Sequence, residues 1–315
     1  LNVNELIGRA TKPESLQSIL LIGDLPLGEL MLGIPVRYLL KHPLAMAGLA
    51  ADPIGVWTNV KDVHIFEQEQ RGPECRYEID EDWERRLHNH LGVEWPCQLA
   101  LEFWSLWPQV MRELEAKGIR PGPMAFGSWN DGDAGLARAI WCLSRHLGPS
   151  KVVETGVAHG VTSRFVLEAL ERNGCGKLSS IDLPPIEKNW QAQVGAAVGG
   201  RFAARWTYIK GSTRRRLPAL LSQLGQIDFF IHDSLHSERN VRFEMDRAWA
   251  ALRPGGAIVV DDVDANWGFQ SFTQNFSGFE SMICEAEPIH PDPRRFNKKG
   301  LFGIILKKPI ARVQA

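Results

Sequence analysis

The sequence has no excess charge of either sign: 36 Lys and Arg stand against 37 Asp and Glu, leaving a formal charge of −1. That balance provides no electrostatic footprint for nucleic acid or an anionic membrane. Long apolar runs are also missing. The stretch 18–40 is interrupted by Asp24, Pro26, Glu29 and Pro35, so neither a membrane span nor a signal-peptide core is expected there. The five cysteines (Cys75, Cys97, Cys142, Cys175 and Cys284) are scattered and contain no C-x-x-C pair. That pattern argues against a disulfide framework or a zinc knuckle, and for reduced thiols in a cytoplasmic protein. No internal repeat or low-complexity tract stands out. The first residue is Leu rather than Met, as expected of a trimmed chain.

What is present is ordinary globular material: 315 residues, 44% hydrophobic and 23% charged, enough for about two domains. The texture changes near residue 125. Before it, helical pieces alternate with Pro and Gly. Trp83, Leu87 and Leu91 recur at i, i+4 and i+8, and 97–117 reads as an apolar helix broken at Pro108. Acidic residues gather in 67–84 as a solvated face, and six of the 11 tryptophans fall in 57–129. Residues 1–125 are therefore expected to form a helical cap over a site or an oligomerisation surface.

From 126 to 315 strand and helix alternate. Asp133 is placed to cap a helix ending near Leu147. Short β runs are expected at 151–154, 178–182, 206–210, 227–232 and 257–260. Helices are expected at 162–172, 186–198, 218–224 and 238–252, the last ended by Arg253-Pro254-Gly255-Gly256. Two final strands, 281–287 and 301–307, lack a convincing helix between them and should pair antiparallel. The fold class that follows is α/β. It is a doubly wound, mostly parallel, Rossmann-like sheet of seven strands with an antiparallel last strand, beside the helical N-terminal region.

In such a sheet, ligands bind beyond the carboxyl ends of the strands. The first strand delivers Glu154-Thr155-Gly156-Val157-Ala158-His159-Gly160, with two glycines that let the backbone turn ahead of a helix N-terminus. The G-x-x-x-G spacing misses the dinucleotide fingerprint, which speaks against a nicotinamide dehydrogenase. The second strand ends at Asp182, suited to a ribose diol, and the third runs into the small-residue turn Gly211-Ser212-Thr213. The fourth delivers Asp233 and the fifth Asp261 and Asp262. Three hard oxygen donors at adjacent strand ends suit Mg2+. His236 follows Asp233 by three residues, and imidazole titrates near neutral pH, as a general base requires. Each of these residues has a plainer reading as a turn former or a helix cap. His232 and His159 are expected to be structural or to line the site. Trp267, Phe269, Phe272 and Phe276 form a substrate wall or a piece of core. The basic pairs Arg294-Arg295 and Lys298-Lys299 are solvated.

The runs VVETGVAHGVTS, SSIDLP, YIKGST, IDFFIHDSLHS and LRPGGAIVVDDV together resemble a class I S-adenosylmethionine-dependent methyltransferase over about residues 126–310. The resemblance is to the metal-dependent O-methyltransferases of the catechol and macrolide-sugar types, and the histidine at 236 matches the latter. It implies that Glu154, Gly156, Gly160 and Ser163 serve the methionine end of the cofactor, with Asp182 at the ribose and Ser212 near the adenine. It implies further that Asp233 lies beside both cofactor and metal, that Mg2+ is held by Asp233, Asp261 and Asp262, and that His236 is the base. The three arginines Arg214–216 after the adenine turn depart from the family pattern. The partner implied is a hydroxylated small molecule, a sugar moiety or polyhydroxy natural product, with homo-oligomerisation through the N-terminal region. A metal-independent methyltransferase and a non-catalytic module that keeps the cofactor fold stay open as alternatives.

Overall fold

The computed structural model describes residue 69 and residues 75–126, 129–183, 188–290 and 300–309. The apolar stretch 18–40, Trp57 and the basic pairs Arg294-Arg295 and Lys298-Lys299 lie outside the described residues. Helices α1 (Trp83–His90) and α2 (Gln98–Glu115) precede a small antiparallel pair, β1 (Gly122–Phe126) and β2 (Trp129–Asp131). Then come α3 (Ala134–Leu147), β3 (Lys151–Thr155), α4 (Val161–Asn173), β4 (Lys177–Asp182) and the single turn α5 (Lys188–Gln191). The chain continues with β5 (Trp206–Lys210), α6 (Thr213–Leu224), β6 (Ile227–His232), α7 (Glu238–Ala251) and β7 (Leu252–Val260). It closes with α8 (Gly268–Asn275), β8 (Phe279–Glu285) and β9 (Leu301–Lys307).

Seven strands form one sheet in the order β5-β4-β3-β6-β7-β9-β8. The pairs from β5 to β7 are parallel, while β9 runs antiparallel to both β7 and β8. The strand order reverses direction between β3 and β6, the switch point where an open α/β sheet binds its ligands. The expected fold class is observed, including the antiparallel end.

Alternating side chains explain why the sheet is covered on both faces. Val152, Phe229, Ile231, Val259 and Ile304 join a buried cluster with Trp141 of α3 and Phe165 of α4. Their neighbours Val153, Phe230, Ile258 and Ile305 join the opposite cluster, with Leu217 of α6 and Met245 of α7. Helices α1 and α2 belong to the first cluster through Trp83, Leu87, Phe103, Leu106, Val110 and Leu114. The Trp-bearing segment from 83 to 115 thus packs as an outer layer on α3 and α4.

Four expected boundaries differ. The helix expected at 218–224 begins five residues earlier, as α6 from Thr213, with Pro218 inside it. Pro108 does not break α2, which runs 18 residues through it. One backbone N–H is missing there, but the buried face Phe103-Leu106-Val110-Leu114 holds the helix on either side. The expected helix at 186–198 shrinks to α5 followed by turns; its residues 186 and 187 lie outside the described residues. There Gly195 and Ala197 donate backbone N–H groups to the carbonyls of Ala158 and His159, so this segment is spent bracing the glycine turn. The sequence 253–256 is part of β7 with an irregular register opposite Asp228, whose carboxylate takes the Arg253 guanidinium.

Candidate functional site

The switch point carries the candidate site. After β3 the chain turns at Gly156, whose φ of +85° is left-handed; a Cβ there would stand 1.8 Å from the Asp233 carbonyl oxygen. The glycine is required because the loop after β3 and the loop after β6 touch backbone to backbone. Gly160, φ +79°, makes the second turn and opens α4. Asp233 follows β6, and its N–H donates to the Thr155 carbonyl, locking the two loops together.

Glu154 is fully buried. Its Oε2 accepts hydrogen bonds from Ser163 and Ser180 hydroxyls, each 2.6 Å away. Its Oε1 is buried with no partner among the described residues. Burial raises this carboxyl to about 7 despite the two hydroxyls. Asp182, at the end of β4, is similar. Burial lifts it to about 7 against the backbone N–H groups of Leu183 and Val157, and its Oδ2 has no partner among the described residues. Two buried acceptors aimed at one strand edge want external donors. The Ser163 hydroxyl, at the head of α4, helps to orient Glu154. Ser212 is buried at the start of α6, beyond Gly211, whose N–H donates to the Asp182 carbonyl. Of the arginines that follow, Arg214 turns away to the Arg239 carbonyl and the Phe243 ring, while the Arg216 side chain lies against Gly211.

On the neighbouring strand ends, Asp233, His236 and Asp261 offer ligand atoms that all lie within 4.8 Å of one another. His236 Nε2 stands 4.0 Å from Asp233 Oδ1 and 3.9 Å from Asp262 Oδ2, inside charge range but beyond hydrogen bonding. Asp262 adopts φ +50°, a left-handed turn at a non-glycine residue, which re-aims the chain directly after β7. Burial is the main force raising Asp233 well above the usual carboxylate range, followed by the charges of Glu154, Asp131 and Asp262. The geometry therefore brings all three predicted carboxylates to His236.

Two supporting residues, Asn266 and Glu244, escaped the sequence reading, while His232 and His159 are the histidines expected to be structural or to line the site. Asn266 donates from Nδ2 to the His236 carbonyl at 2.8 Å and accepts the Gly268 N–H, fixing the loop that carries the histidine. Glu244 of α7 gathers Thr155, His232, Ser234 and Asn240 around one buried carboxylate. Burial alone would raise that group, but His232 and these hydrogen bonds hold it at about 2. His232 packs edge-on against His236, ring centroids 5.4 Å apart. His159 Nδ1 faces Asp131 Oδ2 at 2.6 Å, which ties the glycine turn to β2. Asn266 and Glu244 carry no local motif: the partners His236 of the one and Thr155, His232 and Ser234 of the other lie at least ten positions away. Of the aromatic group after β7, Phe269 and Phe272 are core, while Trp267 and Phe276 are exposed.

Among the described residues no helix is long and apolar enough to cross a membrane. Residues 153–263 match the family model of a methyltransferase domain. No curated protein matches the chain. Among solved structures, the chain is similar to the O-methyltransferase TomG from Streptomyces achromogenes in complex with S-adenosylmethionine. Identity there is 15%, 64% of this chain and 89% of that one are covered, and the TM-score is 0.44. It is similar also to an O-methyltransferase from Bacillus cereus in complex with S-adenosylhomocysteine, at 13% identity over 71% and 97% of the two chains, TM-score 0.43. The match runs from β3 through β7, so that the part of the chain carrying the glycine turn and the strand-end aspartates is similar to a methyltransferase domain.

Proposed function

We propose that the protein transfers the methyl group of S-adenosylmethionine to a hydroxyl of a small molecule, with a divalent cation of the Mg2+ kind at the acceptor. The observation that carries this reading is the convergence of Asp233, Asp261 and Asp262 on His236, one strand from the glycine turn. The residues fit the cofactor: Glu154 Oε1 and Asp182 Oδ2 are buried acceptors suited to an ammonium group and a ribose diol. They also fit a hard cation, since the carboxylates supply oxygen donors whose mutual repulsion a positive charge relieves.

When bound, S-adenosylmethionine supplies an electrophilic methyl group and the cation lowers the pKa of an acceptor hydroxyl. The chain's own residues do the rest. Gly156 and Gly160 let the backbone approach the cofactor, and Glu154 and Asp182 fix its amino-acid end and its ribose. Asp233, Asp261 and Asp262 hold the cation. His236, positioned by Asn266 and backed by His232, receives the hydroxyl proton at Nε2. Much of the acceleration then comes from holding oxygen and methyl carbon in line. Hydroxylated acceptors such as sugar moieties or polyhydroxy natural products suit the donor set. Residues before 126 are assigned to capping or self-association.

A metal-independent version has one observation in its favour: His236 Nε2 sits between Asp233 and Asp262, where an imidazolium would itself offset their charge. Calorimetric titration of chelator-treated protein separates the two. The metal-assisted reading expects S-adenosylmethionine to bind without metal, and Mg2+ to give a separate saturable signal that disappears in Asp261→Asn/Asp262→Asn. Unchanged turnover in that double variant with EDTA present sinks the cation and leaves the His–Asp arrangement. Folded protein, free of co-purified ligand, that binds no cofactor sinks both.

A further inference from the structure

A second group of ligating side chains lies away from the strand edge. His88 on α1, Cys97 at the start of α2 and His146 in the last turn of α3 present Nε2, Sγ and Nε2 to one another, all within 4.8 Å. Cys97 Sγ is 3.1 Å from His88 Nε2 and 3.4 Å from His146 Nε2. Around a tetrahedral zinc ion with Zn–N near 2.0 Å and Zn–S near 2.3 Å, a nitrogen and a sulfur stand roughly 3.5 Å apart. Both sulfur–nitrogen pairs are thus within a few tenths of an ångström of ligand spacing.

Three further features suit an ion better than a chain of hydrogen bonds. His88 Nδ1 lies 2.7 Å from the Glu84 carbonyl oxygen, which can only accept, so Nδ1 carries the proton and Nε2 presents its lone pair to the sulfur. This outer hydrogen bond to a backbone carbonyl is the arrangement that orients metal-bound histidines. The Cys97 sulfur accepts the Ala100 N–H at 3.3 Å. Cys97 is also nearly enclosed and His88 completely so, with the Trp95 ring 4.6 Å from the imidazole. That enclosure shields His88 and the sulfur from bulk water.

We infer that His88, Cys97 and His146 form a zinc site that pins α1 and α2 to the end of α3. A set of two imidazoles and one thiolate is borderline-soft and selects Zn2+ over Mg2+ or Ca2+. The half-buried His146 leaves one side of the site open to water as a fourth ligand. The ligands come from three separate elements, so the ion ties the N-terminal helical layer to the methyltransferase domain. Its contribution is to folding, because the unfolded chain holds no preformed site.

Co2+ is the probe, since only sulfur ligation produces a near-ultraviolet thiolate-to-cobalt charge-transfer band. Full-length protein stripped with a chelator should develop that band with one equivalent of Co2+, lose it on adding Zn2+, and melt at a higher temperature with either ion. Cys97→Ser should abolish the band, while Asp261→Asn/Asp262→Asn should leave it intact. Cys97 also caps α2, so His146→Gln provides a second check: its circular dichroism should match wild type while the Zn2+-dependent rise in melting temperature is gone. A folded wild type that gives no band overturns the site. So does a band that survives in Cys97→Ser, or a Zn2+-dependent rise that persists in His146→Gln.

Discussion

The molecule holds two polar clusters, and they are built in opposite ways. Around Asp233, His236, Asp261 and Asp262 the groups sit on loops at the carboxyl ends of parallel strands, the Asp233 carboxyl is pushed upward, and nearby Glu154 Oε1 and Asp182 Oδ2 have no partner among the described residues. Around Arg138 and the His88–Cys97–His146 trio most of the groups sit on helices, and the buried cation is paired. Arg138, itself buried, reaches Glu84 at 2.7 Å and takes Glu287 through two hydrogen bonds of 2.6 and 2.9 Å, under the rings of Trp83 and Trp104. Unpaired polar groups cost stability and imply a ligand; paired ones hold the layers together. The first region should therefore be sensitive in binding and the second in folding.

Arg138→Ala should give the largest effect and break the comparison if it is mistaken. The variant strands Glu84 and Glu287 and opens space beneath two tryptophans, so urea unfolding should show a loss of about 3 kcal/mol. The cofactor Kd of the folded protein should not move. A weakened Kd with little change in unfolding would mean that the two regions are not separable.

Glu154→Gln should do the reverse. Loss of a charged acceptor weakens S-adenosylmethionine by roughly 10- to 100-fold at pH 8, on the scale of one charge-assisted hydrogen bond, while unfolding stays the same or improves. The pH dependence has a definite sign. The free carboxyl titrates near 7 and must be ionised to hold an ammonium group. Binding to wild type therefore weakens as pH falls from 8 to 6 and levels off above. A wild-type Kd flat across that window would remove Glu154 from the cofactor.

The difference in construction also explains what was legible. The strand-edge residues come in chain order, one strand end after another, so Glu154, Asp182, Asp233, Asp261 and Asp262 could be placed by topology before any coordinates. The strands themselves were plain because Ile227–His232 and 257–260 are short apolar runs buried on both faces. On the helical side order in sequence says little. His88 and Cys97 are nine residues apart, His146 forty-nine further on, and no spacing rule covers them. The absence of C-x-x-C excluded a local zinc knuckle and had no bearing on a site assembled across three helices. Pro108 misled for a related reason: local propensity argued for a break, and the buried face of α2 overrode it.

The smallest effect sharpens the comparison furthest. Asp133 caps α3 as the sequence implied, with Oδ1 accepting from the Gly135 and Leu136 N–H groups, and it accepts from the Glu287 N–H as well. The same Glu287 side chain grips Arg138. Asp133→Ala should cost about 1 kcal/mol, the usual worth of a cap. The physical content lies in the pair. If one residue's backbone is fixed by Asp133 and its carboxylate by Arg138, each substitution loosens the partner of the other. The double variant should then lose less than the sum of the singles by at least about 0.5 kcal/mol. Combining Arg138→Ala with Glu154→Gln should be additive, because those two share no partner. Additivity in the first pair would show that Glu287 is held independently of both. Coupling in the second would show that the strand edge feels the helical layer, and the division between a binding region and a folding region would have to be redrawn.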